Sequence, residues 1–416
     1  MTAIGRTKQK TGLRREQHQP DYTILVAVVA LAAIGILMVY SSSAMSAYVQ
    51  YDDPFKIVGP QLVWALLGIV AMVVMSRTDY RILRLVSIPM YVVAFVLLVL
   101  VLLPGFGIRI GGSARWLQIG PLPAIHPAEF AKLALVVYLA HWFARRGTGL
   151  RSFWRGTVPF LIVFGPVVFL VLREPDLGTS AVIGLTAFTM FFVAGANLVH
   201  LALMSAAGLT LVGFVVSLTP YQLERVRTFI DPWSDPQGTG FHTIQGLLAL
   251  GLGGLFGAGL GESRSAGGLF LPNASNDFIF AIIGEEFGLI GAGLVIILFL
   301  VIAYQGVRTA LAAPDTFGAL LAAGVTAWIS LQAFINIGVV VSLLPVTGIT
   351  LPFISAGGSS LIISFAAVGI LLSVSRETVE RGTWNDAPAD RGRGHGRAYL
   401  PGSRRRPVTP RATGRA

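Results

Sequence analysis

Leu271-Pro272-Asn273-Ala274-Ser275-Asn276-Asp277-Phe278-Ile279-Phe280-Ala281-Ile282-Ile283-Gly284-Glu285-Glu286-Phe287-Gly288 carries a polar turn straight into an apolar segment with two adjacent acids. Charge inside or beside an apolar span is expensive, so by default it marks function. This stretch closes a longer interruption that begins at Thr219. The interruption holds Glu224-Arg225-Val226-Arg227-Thr228-Phe229-Ile230-Asp231-Pro232, then Asp235-Pro236-Gln237-Gly238-Thr239-Gly240-Phe241, then a glycine-rich run from Gly246 to Gly268. A polar loop, flexible glycines and acids entering an apolar helix suit a membrane enzyme that works beside the lipid.

The sequence on either side is apolar. The chain of 416 residues is 54% hydrophobic and 12% charged, with a mean hydropathy of +0.73, whereas soluble domains carry about 25% charged residues. This is the composition of an all-α integral membrane protein. A span needs roughly 20 apolar residues. Ten such segments lie near 22–42, 57–76, 82–103, 126–143, 156–172, 177–194, 198–218, 278–303, 316–342 and 358–375. The 219–277 stretch is then a large loop between spans 7 and 8.

Residues 1–20 form a basic leader, expected to be disordered, and the first span reads as a signal anchor with no cleavable signal peptide. Residues 377–416 form an Arg/Gly/Pro-rich tail with little to bury, also expected to be disordered. The tail either lies against anionic lipid or only helps to set topology. Basic residues concentrate in the leader, in the tail, and in the loops holding Arg77, Arg81 and Arg84, then Arg145, Arg146, Arg151 and Arg155, then Arg308. By the positive-inside rule both termini are cytoplasmic and the 219–277 loop is extracytoplasmic. The net charge of +11 therefore serves topology, and no nucleic-acid partner is expected. Zero cysteines exclude disulfides and thiol chemistry, and the six histidines show no metal-ligand spacing. No internal repeat is visible, which counts against a transporter built from duplicated halves.

Four groups could carry chemistry. The first is Ser113-Ala114-Arg115-Trp116-Leu117-Gln118-Ile119-Gly120 with His126-Pro127-Ala128-Glu129-Phe130-Ala131-Lys132. Glu129 and Lys132 share a helix face at i, i+3, either as a self-neutralising pair or as part of an anion and hydroxyl site beside Arg115. The second is Arg173-Glu174-Pro175-Asp176-Leu177-Gly178-Thr179, where Asp176 either caps the next helix or lines a cavity. The third is Asn276-Asp277 with Glu285-Glu286. Asp277 could cap its helix, unless Ser275 or Asn276 does so and frees it. Glu285 and Glu286 would lie two turns or more into the helix, about 12–14 Å from its start, and need a polar partner or a wet cavity.

The fourth group runs from Leu344 to Ser360 and includes Pro345, Pro352, Ser355, Gly357, Gly358 and Ser359. It makes a broken connection of a kind tolerated only against protein or water. It is either a tight turn or a source of N–H and hydroxyl donors for a phosphate. The glycine run is no phosphate loop, since no strand precedes it and no Lys-Ser/Thr follows. The spacing of Gly253, Gly257 and Gly261 fits a helix or re-entrant segment packed closely on its neighbours.

Together these groups resemble the SEDS family (shape, elongation, division and sporulation), the FtsW/RodA peptidoglycan polymerases, over nearly all of residues 20–376. The resemblance rests on the Arg-Trp and Pro-Ala-Glu-Phe-Ala-Lys segments, Pro175-Asp176-Leu177-Gly178-Thr179, Phe229-Ile230-Asp231-Pro232, Gly253-Gly254-Leu255-Phe256-Gly257, Asn276-Asp277-Phe278-Ile279-Phe280, Gly284-Glu285-Glu286, and Pro352-Phe353-Ile354-Ser355 with Gly357-Gly358-Ser359-Ser360. It implies glycosyl transfer on lipid II. The 4-hydroxyl of one N-acetylglucosamine attacks the anomeric carbon of N-acetylmuramic acid at the lipid-linked end of the glycan, and undecaprenyl diphosphate leaves.

The family's essential aspartate maps onto Asp277, which becomes the general base by analogy. Its cavity residues map onto Arg115, Trp116, Glu129 and Lys132, with Asp176, Ser355 and Ser359 in the neighbouring motifs. Arg225 would hold diphosphate, as a guanidinium does well. The resemblance implies no tightly bound cofactor, but a dependence on Mg²⁺ or Mn²⁺ for which no metal cage is legible. It also implies a class B penicillin-binding protein as partner, with other divisome or elongasome proteins, in the bacterial cytoplasmic membrane. Asn273, Asn276 and His126 depart from the usual family residues, and Asn273 puts in doubt any carried-over regulation of the loop. The start Pro20-Asp21-Tyr22 and the Met38-Val39-Tyr40-Ser41-Ser42-Ser43 end of span one resemble the division branch, at the septum, more than the elongation branch. A flippase for lipid-linked precursor and a recruiting scaffold remain the rival classes. The flippase lacks a matching polar set at the inner ends of the spans, and the scaffold leaves Asp277, Glu129 and Lys132 unexplained.

Overall fold

The structure, a computed structural model, describes residues 19–377 except 111–112, 119–123, 267–270 and 272–273. The leader through residue 18, the tail from residue 378, Asn273 and the Ile119-Gly120 end of the first motif lie outside the described residues.

Each apolar segment expected from the sequence forms a helix. The chain runs through α1 (Tyr22–Tyr51), α2 (Val58–Arg77), α3 (Ile82–Leu102), the strands β1 (Gly107–Ile110) and β2 (Ser113–Leu117), α4 (Pro127–Arg146), α5 (Val158–Arg173), α6 (Leu177–Val193) and α7 (Leu198–Leu218). It continues through α8 (Pro220–Ile230), α9 (Phe241–Gly253), α10 (Ile279–Ala312), α11 (Thr316–Val340) and α12 (Gly358–Ser375). Among the described residues, eight helical stretches are long and apolar enough to cross a membrane, the one holding α5 reaching back through a π-helical turn to Phe153, where the sequence suggested ten. The two that fall short have physical reasons. Helix α4 carries Glu129, Lys132, Arg145 and Arg146 within 20 residues, and α6 is only 17 residues long.

Two features depart from an all-helical bundle with one open loop. β1 and β2 form a short antiparallel hairpin that carries Arg115 and Trp116. The 219–277 stretch is not an open loop throughout, because it contains the helices α8 and α9. The glycine run after α9 turns back against α10, whose helix breaks at Gly288 (φ 65, ψ −165). At the break the Ala258 N–H donates to Glu285 O at 2.9 Å, and the Leu289 N–H donates to Gly254 O at 2.9 Å. Backbone freed by the break is thus satisfied by the loop, as burial requires. A Cβ at Gly257 (φ +86) would lie 2.1 Å from Glu286 O, and one at Gly253 would lie 1.8 Å from Gly284 O. The expected close packing therefore holds for Gly253 and Gly257, while Gly261 faces open space.

In lipid, helices associate through close packing and polar contacts, since apolar side chains gain little by leaving the tails. The bundle follows that rule. α2 lies along α12, with Gly68 under the Phe365 ring. The buried centre is α11, which packs against α4, α6, α10 and α12, and large apolar side chains such as Leu66, Leu85, Leu209 and Leu300 face outward. α7 buries none of its residues.

Candidate active site

Asp277 stands two residues before α10. It does not cap that helix: Phe278 occupies the cap position and no side chain donates or accepts there. Ser275 and Asn276 do not cap it either. Their carbonyls instead accept from the Ala356 N–H at 2.9 Å and from Ser355 Oγ at 2.7 Å. The Asp277 main chain is fixed by Asn336, whose Nδ2 donates to Asp277 O at 2.9 Å and to Ile349 O at 2.8 Å. Its carboxylate is left for other work.

That carboxylate lines a cavity of about 370 Å³ shared with Arg225 and Thr228 of α8, His242 of α9, and Val346 and Gly348 of the α11–α12 connection. Such a volume is ordinary for a small-ligand site. A Cβ at Gly348 would lie 3.5 Å from Asp277 Oδ2 and 4.0 Å from Arg115 Nη1, so acid and guanidinium meet over the same residue. Burial and the charge of Asp176 push the Asp277 pKa up to about 7, against the pull of Arg225 and Arg115. A carboxylate poised there matches a general base at neutral pH.

The hairpin and the α5–α6 turn hold Arg115. Its Nε donates to Glu174 O at 3.1 Å and its Nη2 to Pro175 O at 2.6 Å. Asp176 caps α6, accepting from Thr179 N–H at 2.9 Å and Thr179 Oγ1 at 2.8 Å. It also lies 3.7 Å from His126 Nε2, and the His126 ring stands edge-on to Trp116 with centroids 5.2 Å apart. Capping and proximity to the site are therefore both true of Asp176. Ser359 Oγ accepts from the His126 N–H at 3.3 Å.

Glu129 and Lys132 form a buried pair, with Nζ 2.8 Å from Glu129 Oε2. Lys132 Nζ also donates to Gln332 Oε1 at 2.6 Å and sits over the Trp328 ring. Gln332 and Asn336, four residues apart on one face of α11, link this pair to Asp277. Gln332 Nε2 donates to Thr350 O at 3.0 Å, while Asn336 holds the neighbouring Ile349 O. Gln332 and Asn336 stand about one helical turn, roughly 6 Å, apart along α11. Sequence reasoning missed Gln332 and Asn336. An i, i+4 polar pair in an otherwise apolar segment was the signal that would have found them.

Arg225 reaches the cavity from α8, and its Nη1 donates to Val346 O at 3.0 Å. Ser355 uses its hydroxyl as a staple: it accepts from the Leu351 N–H at 2.7 Å while donating to Asn276 O. Glu285 and Glu286 lie about two turns into α10, as expected, just before the break at Gly288. Glu285 finds its polar partners in the glycine-run loop, accepting from Ser263 Oγ at 2.6 Å and the Arg264 N–H at 2.9 Å. Among the described residues, no group of three or more His, Asp or Glu is arranged to hold a metal ion.

Comparison with known proteins adds the following. Residues 22–380 match the model of the cell cycle protein family named for FtsW, RodA and SpoVE. The chain is 45% identical over 358 residues to stage V sporulation protein E of Bacillus subtilis (strain 168), covering 86% of this chain and 97% of that protein. It is 40% identical over 361 residues to the probable peptidoglycan glycosyltransferase FtsW of Geobacter metallireducens, covering 87% of this chain and 96% of that one. A chain of the solved structure described as "Structural coordination of polymerization and crosslinking by a peptidoglycan synthase complex" superposes with a TM-score of 0.71 at 31% identity, covering 86% of this chain and 98% of that chain. With its helical membrane fold, its motifs in order and matches spanning nearly the full length of each relative, the chain belongs to the FtsW/RodA/SpoVE family of cell cycle proteins.

Proposed function

We propose that the protein is a multi-pass membrane glycosyltransferase that polymerises lipid II into glycan strands and releases undecaprenyl diphosphate. The observation that carries this reading is the meeting of Asp277 and Arg115 over Gly348, at a cavity that Arg225 also lines. A base beside two guanidinium groups suits a reaction that removes a proton from an attacking hydroxyl and expels a diphosphate. Asp277 accepts the proton of the 4-hydroxyl as it attacks the anomeric carbon. Arg115 and Arg225 oppose the charge that grows on the departing diphosphate. The Glu129–Lys132 pair, with Trp116, borders the donor side. A requirement for Mg²⁺ or Mn²⁺ is part of the proposal, with the ion brought by the diphosphate, since Mg²⁺ keeps water and binds readily through substrate phosphates.

The site faces the extracytoplasmic side, and the partner is a class B penicillin-binding protein that crosslinks the new strand. The peptidoglycan synthase complex of the superposed structure supports that pairing. Similarity to proteins named FtsW supports a septal role in division over elongation. The test is polymerisation of purified lipid II by the full chain, with and without a cognate class B penicillin-binding protein. Asp277→Asn should lower turnover by about 10²–10⁴-fold, the usual contribution of a general base, while the protein stays monodisperse. Equal product from the variant removes Asp277 from the chemistry. No product from the wild type with partner and divalent metal present returns the flippase reading.

A further inference from the structure

Glu174 is a buried acid that the mechanism above leaves idle. It closes α5 at the turn into α6 and is fully buried, at 0% exposure. Neither carboxyl oxygen has a hydrogen-bond partner among the described residues. Its basic neighbour in sequence does not pair with it, because Arg173 packs over the Phe169 ring instead. A buried carboxylate without donors is among the costliest groups a protein can hold, and the usual escape is to keep the proton.

The surroundings make that choice consequential. The charged groups that act on Glu174 are Asp176 on its own turn and Arg115 from β2, with His126 facing Asp176 and Asp277 acted on by both Asp176 and Arg115. Asp176 spends both oxygens on Thr179 and faces His126. Among the described residues, Arg115 is held by two neutral carbonyls, one of them that of Glu174 itself. The guanidinium is thus positioned by the Glu174 main chain while the Glu174 side chain stays unengaged.

We propose that Glu174 is a positioning residue that serves the site as a neutral carboxylic acid, so that it does not pair with Arg115 and leaves that guanidinium available to an anionic group of the substrate. Ionisation of Glu174 places a third negative charge among Asp176 and Asp277. It pairs electrostatically with Arg115, weakens the hold on diphosphate and discourages ionisation of the base. Burial, together with Asp176, pushes the Glu174 pKa up to about 9, with Arg115 acting the other way. The acid therefore stays protonated through neutral pH, and its influence is felt on the alkaline side.

The turnover part of the test rests on the glycosyltransferase reading, and the spectroscopic part does not. Infrared difference spectra of the purified full chain at mildly alkaline pH, wild type against Glu174→Gln, should show a protonated-carboxyl C=O band that the variant lacks. Absence of that band overturns the proposal whether or not lipid II is polymerised. In the polymerisation assay, wild-type kcat/KM should fall as pH rises through about 9, approaching tenfold per pH unit beyond it, with KM rising first. Glu174→Gln and Glu174→Leu should keep their neutral-pH activity and hold it on the alkaline side. A merely structural role would not separate the variants from the wild type by pH. Coincident profiles overturn the proposal, and so does a well-folded Glu174→Gln that is inactive at neutral pH, since that would mean the site needs the negative charge.

Discussion

At Asp277, the proposed base, two opposing influences set when the carboxylate is charged. Burial and Asp176 raise its pKa, while Arg225 and Arg115 lower it, with the balance at about 7. A base must be ionised to accept a proton, so kcat/KM for lipid II should fall as pH drops through about 7. Arg225→Gln removes one of the lowering charges. The Asp277 pKa then rises and the acid limb moves to higher pH, by about one unit for a close opposite charge. A limb that stays in place would assign it to another group. Asp277 stood out in the sequence as an acid at the mouth of an apolar segment with capping left open, and its role as base came only from the family resemblance. Glu174 was not legible as an unpaired acid. In the string Arg173-Glu174-Pro175-Asp176 the sequence singled out Asp176, and only the fold shows Arg173 turned toward Phe169 and Arg115 arriving from the hairpin.

The element that unites the site is the connection from α11 to α12. Gly348 has φ +76, and its missing side chain leaves room for Asp277 and Arg115. Gly348→Ala should therefore act twice. It forces a residue with a Cβ into the left-handed region, which costs about 1–3 kcal/mol, and it sets a methyl group in van der Waals contact with base and guanidinium, which relief of that strain would shift. Misplacing reacting groups by about 1 Å can cost 10²-fold, so kcat/KM should drop by at least tenfold. Gly149→Ala, at a glycine with open space around it, is the matched control and should change little. Parity of the two variants in the lipid II assay would remove Gly348 from the site. The broken character of this connection was visible in its prolines and paired glycines. What it touches was not, because Asn336, Gln332 and Ser355 act through backbone carbonyls far away in the chain. The break in α10 was hidden for a related reason: Gly288 looks like any glycine of an apolar helix until the returning loop at Gly257 demands it.

Across the whole molecule, the two ends of the bundle differ in charge and in purpose. Asp277 lies at the start of α10, and beyond its far end Asp315 caps α11 and gathers the α2–α3 turn. There Tyr80 donates to Asp315 at 2.8 Å, Arg84 pairs with it at 2.8 Å, and Arg81 bridges to Glu377. Apolar segment boundaries were readable from hydropathy because the lipid imposes a length, whereas α8 and α9 were read as loop because they are too short or too polar to span. The clustering of Arg77, Arg81 and Arg84 at the end remote from Asp277 is what the positive-inside rule expects of a cytoplasmic face. The chain contains no cysteine, so single substitutions report orientation cleanly. Gln237→Cys lies in the exposed turn before α9 and Thr148→Cys in the exposed turn after α4. In intact spheroplasts, a membrane-impermeant maleimide should label Gln237→Cys at once and Thr148→Cys only after permeabilisation. The reverse pattern would place Asp277 on the cytoplasmic side, away from the growing wall, and the glycosyltransferase reading could not stand. The expected pattern puts the base, both guanidinium groups and the cavity where a glycan strand can leave the membrane as it is made.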